Sequence, residues 1–134
     1  RYLDRYIAND LSEEKLRENT EYKDRWGYPW ENYAPVLRFA KANRLPVIAL
    51  NAPTEVVRKV ARRGLNRLSR DEQRYIPPLA EIQTDDPAYR QVIQEIYEQA
   101  HQGKGNSGDF ERFFQAQVLW DETMADGIAR FVQA

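Results

Sequence analysis

Cysteine is absent from the chain, and histidine occurs once, at His101. The first absence excludes disulfides, thiolate zinc sites and cysteine nucleophiles. The second excludes any metal site built from several histidines of this chain. A Ser-His-Asp triad stays formally open, but there is no Gly-x-Ser-x-Gly elbow to carry its serine. Long apolar runs are lacking too: no stretch approaches the roughly 20 residues needed to span a bilayer. Neither charge sign dominates, since the net charge is -1. No global basic field draws in nucleic acid or anionic lipid. The chain opens on Arg1, without an initiator methionine or a secretory n-region or h-region. The expectation is a trimmed or excised segment, whose ends carry no targeting information. A bacterial cell envelope and a cytoplasm both stay open as compartments.

What is present is polar but not disordered. Mean hydropathy is -0.80 and charged residues make up 31%, which predicts a wet surface. The 12% aromatic content is too high for a disordered chain. At 134 residues the expectation is one hydrophobic core and a single folding unit. There is no internal repeat.

Helical periodicity dominates. Tyr2, Leu3, Tyr6 and Ile7 recur at three-to-four spacing, as at the end of a helix. Ser12 is placed to cap a charged helix running to about Tyr22. Gly27 permits a turn and Pro29 forbids helix continuation, so the aromatic residues of 26–30 should pack a corner. Tyr33, Val36, Leu37 and Ala40 form the apolar stripe of the next helix, with Pro35 tolerated in its first turn. Residues 46–50, Pro-Val-Ile-Ala-Leu, are a short continuous apolar run, the pattern of a fully buried parallel strand. Asn51-Ala52-Pro53 ends it and Thr54 is placed to cap a helix with Val56, Val57, Val60 and Ala61 inward, stopped by Gly64. Helix, strand and helix with short connections predict a doubly wound sheet. The fold class expected is therefore mainly α: a helical subdomain with one short buried strand at about 47–50. It would be a piece of a larger α/β parallel-sheet protein whose other strands lie elsewhere.

The second half is helical again. Ser69 and Glu72 have capping-box spacing, and Pro77-Pro78 ends the short helix they start. Residues 79–86 look like loop. Asp86-Pro87 opens a strong helix with the stripe Tyr89, Val92, Ile93, Ile96, Tyr97 and Ala100. A glycine-rich linker at 103–108 lacks P-loop spacing. From Asp109 to about Gln133 the apolar face is Phe110, Phe113, Phe114, Met124, Ala125, Ile128 and Val132. Gln117 and Asp121 fall in the middle of that face, one turn apart, while Glu122 falls on the opposite one.

These residues resemble the ChaN-like haem-binding uptake family of the Tiki superfamily. The resemblance is carried by Trp30-x-x-Tyr33-x-Pro35, Ala40, and Val47-Ile48-Ala49-Leu50-Asn51-Ala52-Pro53. It continues through Arg58-x-Val60-Ala61-x-x-Gly64 and His101 at a helix end. Its most specific part is Ala116-Gln117-Val118-Leu119-Trp120-Asp121-Glu122-Thr123-Met124-Ala125. The similarity covers nearly the whole chain, as an internal segment. The family's glycine-histidine motifs, before and after this region, are missing, so metal or hydrolytic chemistry they support does not transfer. Thr54 stands where a basic residue is expected.

The resemblance implies a haem- or iron-linked binding protein in which this segment supplies a helical subdomain and part of the ligand pocket. Haem is the implied cofactor, and His101 the implied metal ligand. Asn51, Gln117 and Asp121 are further ligand-binding candidates. Each has a plainer alternative. His101 at a helix C-terminus is favoured by the helix dipole. Asn51 can serve an Asx-type turn. Gln117 and Asp121 can form a structural pair satisfying buried backbone groups. Tyrosine also ligates haem iron, and eight tyrosines leave none preferred. The basic stretch at 58–70 would meet an anion or lie solvated, compensated by the acidic 81–98 stretch. Partners expected are haem, the remainder of the parent α/β domain, and a second copy of the parent as a homodimer. Two other functions are consistent: the non-catalytic part of a Tiki-type metal-dependent hydrolase, and a helical interaction module. In each case this segment alone is expected to be inactive as an enzyme.

Overall fold

The computed structural model describes residues 1–101 and 107–134. Of the glycine-rich linker, 103–106 lie outside the described residues, while Ser107 and Gly108 belong to the last helix. Among the described residues there are seven α-helices: α1 Tyr2–Ile7, α2 Glu13–Asn19, α3 Tyr22–Arg25, α4 Ala34–Ala42, α5 Thr54–Arg63, α6 Pro87–His101 and α7 Ser107–Gln133. Short 3-10 turns lie at Trp30–Asn32, Leu65–Arg67, Glu72–Tyr75 and Leu79–Glu81. The chain forms two compact units, Arg1–Ala49 and Leu50–Ala134.

The mainly α expectation fits, but the strand does not form. Residues 45–50 are neither helix nor strand. The reason lies in what a strand needs. Its backbone N–H and C=O groups must pair with a neighbouring strand, and among the described residues there is none. Nor is the run buried, since Ile48 is 42% exposed. An apolar run fixes neither secondary structure nor burial by itself. The doubly wound sheet inferred from it falls with it.

The first unit is built on Tyr6, Leu11, Leu16, Trp30 and Ala34. Ser12 caps α2 as its side chain accepts from the Lys15 amide at 3.1 Å. Trp30 Nε1 donates to Glu13 Oε1 at 2.7 Å. Arg38 grips the same carboxylate with two nitrogens, at 2.8 Å to Oε2 and 2.6 Å to Oε1. The Arg38 bond, helped by the indole, holds the Glu13 carboxyl down at about 2 against the burial that would raise it. Helices α1 and α4 end alike. Asp10 N donates to Arg5 O at 2.8 Å and Asn9 N to Tyr6 O at 3.2 Å. Likewise Leu45 N donates to Ala40 O at 2.8 Å and Arg44 N to Lys41 O at 3.2 Å. Both are Schellman ends, which place one residue in the left-handed region. Those residues are Asn9, φ 66°, and Arg44, φ 54°. Asparagine tolerates that conformation, whereas a longer L side chain there costs about 1–2 kcal/mol.

The second unit packs α5 and α6 on the first half of α7. Val56 and Val60, one turn apart, meet a core that includes Ile93, Tyr97, Phe110, Phe114, Val118 and Leu119. The N-terminal cap of α5 is Pro53, with no side-chain cap bond, rather than Thr54. Gly64 ends α5 at φ 86°. The chain then turns so that Leu65 N donates to Gln115 Oε1 on α7 at 2.9 Å. Ser69 and Glu72 form the reciprocal capping box, at 2.7 Å and 3.3 Å. Beyond Leu119, burial along α7 fades. Ile128 is 51% and Val132 77% exposed, against the expectation of a stripe running the whole helix.

Candidate functional site

The polar centre of the second unit is a pair between α6 and α7. Asp86 opens α6 by accepting the Tyr89 amide at 2.9 Å. That fixes the first turn and turns the Tyr89 ring against Phe114, centroids 5.8 Å apart. The Tyr89 hydroxyl donates to Asp121 Oδ2. Asp121 is half-buried and sits where a carboxylate must find a donor. Burial first, then the bond to Asp121 and its negative charge, raise the Tyr89 phenol well above its usual range. The phenol therefore keeps its proton and serves as a hydrogen-bond donor.

Around this pair is a cleft of about 260 Å³ with Gln83, Asp86, Val118 and Glu122 in its walls. Three carboxylates, one phenol and one amide make it an acceptor-rich, electronegative surface. It suits hydrogen-bond donors.

A second contact lies on the same helix. Trp120 Nε1 donates to Asn51 Oδ1 at 3.2 Å. The segment leading to α5 runs close along α7 there. A Cβ on Gly127 would come within 3.0 Å of Leu50 Cδ2.

The sequence-predicted residues are thus placed in different surroundings. Asp121 is paired, with Tyr89. Asn51 is exposed and tied to Trp120, not at the end of a strand. Gln117 is half-buried and outside the lining of the cleft. His101 is the last residue of α6, and its side chain lies outside the described residues. Sequence reasoning missed Tyr89 and Trp120 as partners. The signal for Tyr89 was available: a carboxylate on an apolar face requires a donor, and the stripe of α6 offers tyrosine hydroxyls.

The basic stretch is compensated differently from expectation at one point. Lys59 Nζ lies 2.6 Å from Glu72 Oε2, outside the acidic 81–98 stretch. That bond and the Ser69 amide hold the Glu72 carboxyl down at about 2. Among the described residues, no three histidine, aspartate or glutamate side chains gather closely enough to hold a metal ion. No helix among them is long and apolar enough to cross a membrane.

The model of the family described as "Haem-binding uptake, Tiki superfamily, ChaN" matches residues 1–134, the full length of the chain. No curated protein and no solved structure matches.

Proposed function

The chain belongs to the ChaN haem-binding uptake family of the Tiki superfamily, and from that membership we propose that it forms one helical wall of a haem-binding pocket. The observation that carries this reading is the family match along the whole chain. Haem does not fit the Tyr89–Asp121 cleft. Its propionates would meet Asp86, Asp121 and Glu122, and a phenol held in its protonated form is a poor iron ligand.

The outer edge of α6 suits it better. Val92 and Ile96, one turn apart, are 53% and 52% exposed, and the same helix ends at His101. A flat apolar ligand needs an apolar wall and one ligating group, and an imidazole is a haem ligand. In this proposal Val92 and Ile96 supply the wall, and His101, about 180° round α6 from Val92 at helical period, reaches the iron from the end of the helix rather than from that edge. Asp121 acts through Tyr89, keeping α6 in register on α7. Asn51, through Trp120, and Gln117 belong to the polar border of the same unit.

Titration with ferric haem, followed in the Soret region, tests this. The wild-type chain should give a saturable Soret change. Ile96→Asp, which places a carboxylate on an already solvent-exposed position, should weaken binding at least tenfold without unfolding the chain. Equal binding by Ile96→Asp would take haem off this edge of α6.

A further inference from the structure

The first unit holds a second cavity, of about 470 Å³, lined by Asp4, Ile7, Ala8, Asn9, Arg44 and Pro46. It lies where α1 and α4 end, and both left-handed residues of the paired Schellman turns line it. At that position of a helix end glycine is the favoured residue. Asn9 is a usual substitute. Arg44 is not, and its side chain gains nothing from its neighbours. Among the described residues its guanidinium makes no ion pair or hydrogen bond, and it is exposed. A strained backbone position occupied by an uncommitted cation, in the lining of a cavity, is an arrangement in which strain marks a ligand contact.

We propose that this cavity binds a monoanionic carboxylate with a short apolar tail, and that Arg44 is the residue that recognises it. The guanidinium fork matches the two oxygens of a carboxylate. Asn9 lines the same cavity and offers its side-chain amide as a second donor. Ile7, Ala8 and Pro46 line the remaining wall and take the tail. Asp4 lines the same cavity. A carboxylate there adds negative charge against a dianion, so inorganic phosphate is disfavoured. A plainer role for Arg44, complementing the dipole at the end of α4, predicts that the arginine stabilises the fold.

The experiment is a titration of the full chain with sodium hexanoate at constant ionic strength, followed by amide NMR, with inorganic phosphate in parallel. Hexanoate should give saturable shifts centred on residues 7–9, 44 and 45, and phosphate should bind at least tenfold more weakly. Arg44→Gly should raise Tm by roughly 2–6 °C while weakening hexanoate at least tenfold. Arg44→Lys, which keeps the charge but not the fork, should fall between. Absence of saturable shifts, unchanged binding by Arg44→Gly, or phosphate binding as tightly as hexanoate would overturn the proposal. So would a lower Tm for Arg44→Gly, because the arginine would then be held for stability alone.

Discussion

The Tyr89 hydroxyl, on the first turn of α6, donates to the Asp121 carboxylate near the middle of α7, 32 residues further along the chain. The bond couples a half-buried carboxylate to a phenol, and both lie in a cleft that holds two further carboxylates. Each group satisfies the other where water reaches them only in part.

Removing one partner should therefore be worse than removing a neighbour. Asp121→Ala leaves the Tyr89 hydroxyl without its acceptor and should cost about 1–2 kcal/mol. Glu122→Ala, in the same cleft, should change stability by no more than about 0.5 kcal/mol. A double-mutant cycle of Asp121→Ala with Tyr89→Phe, read by urea unfolding, should show a coupling of about 0.5 kcal/mol or more. Additive effects would show that the two groups do not act as a pair.

Two glycines should respond in opposite directions to alanine. Gly64 has φ 86° and ψ 160°, a region that is essentially open to glycine alone, so Gly64→Ala should cost about 1–3 kcal/mol. Gly127 lies inside α7, where alanine gains about 0.5–1 kcal/mol of helix propensity. The added Cβ would meet only the end of the half-buried Leu50 side chain, at 3.0 Å. That end can move by a few tenths of an ångström, so Gly127→Ala should be neutral or stabilising in thermal melts. A loss above about 1 kcal/mol at Gly127 would mean that the Leu50 segment is clamped against α7.

The first unit should have an acid limb set by Glu13. Its carboxyl is lowered from 4.5 to about 2. A depressed carboxyl contributes stability that is fully present above its unfolded value and is lost as pH falls through the folded one. The window is therefore about pH 4.5 down to about 2. The Trp30 indole N–H resonance reports on the same carboxylate and should titrate at the low end of that window. Glu13→Gln should remove its titration and flatten the acid limb. An indole that titrates near 4.5 would contradict the Arg38 grip.

Local features were legible in the sequence where three or four residues decide them. Ser12, the Ser69 and Glu72 box, and Asp86 at the start of α6 all hold helix starts as their spacing predicts. The polar position of Asp121 was legible as well, because helical period alone puts it on the apolar side. Its partner was not, since Tyr89 meets it only once α6 lies on α7. Periodicity also names a face without saying whether anything covers it. That is why Ile128 and Val132 are exposed although they continue the stripe of Phe110 and Phe114. Residues 46–50 failed for a related reason: a strand is a property of a pair, and one apolar run contains only half of it.

The most direct test of the haem reading is the optical spectrum of the full chain with ferric haem, compared between wild type and His101→Ala. Loss or a clear shift of the Soret band in His101→Ala, with Asp121→Ala keeping the wild-type band position, is the predicted result. An unchanged band in His101→Ala would contradict it and remove the end of α6 from the site.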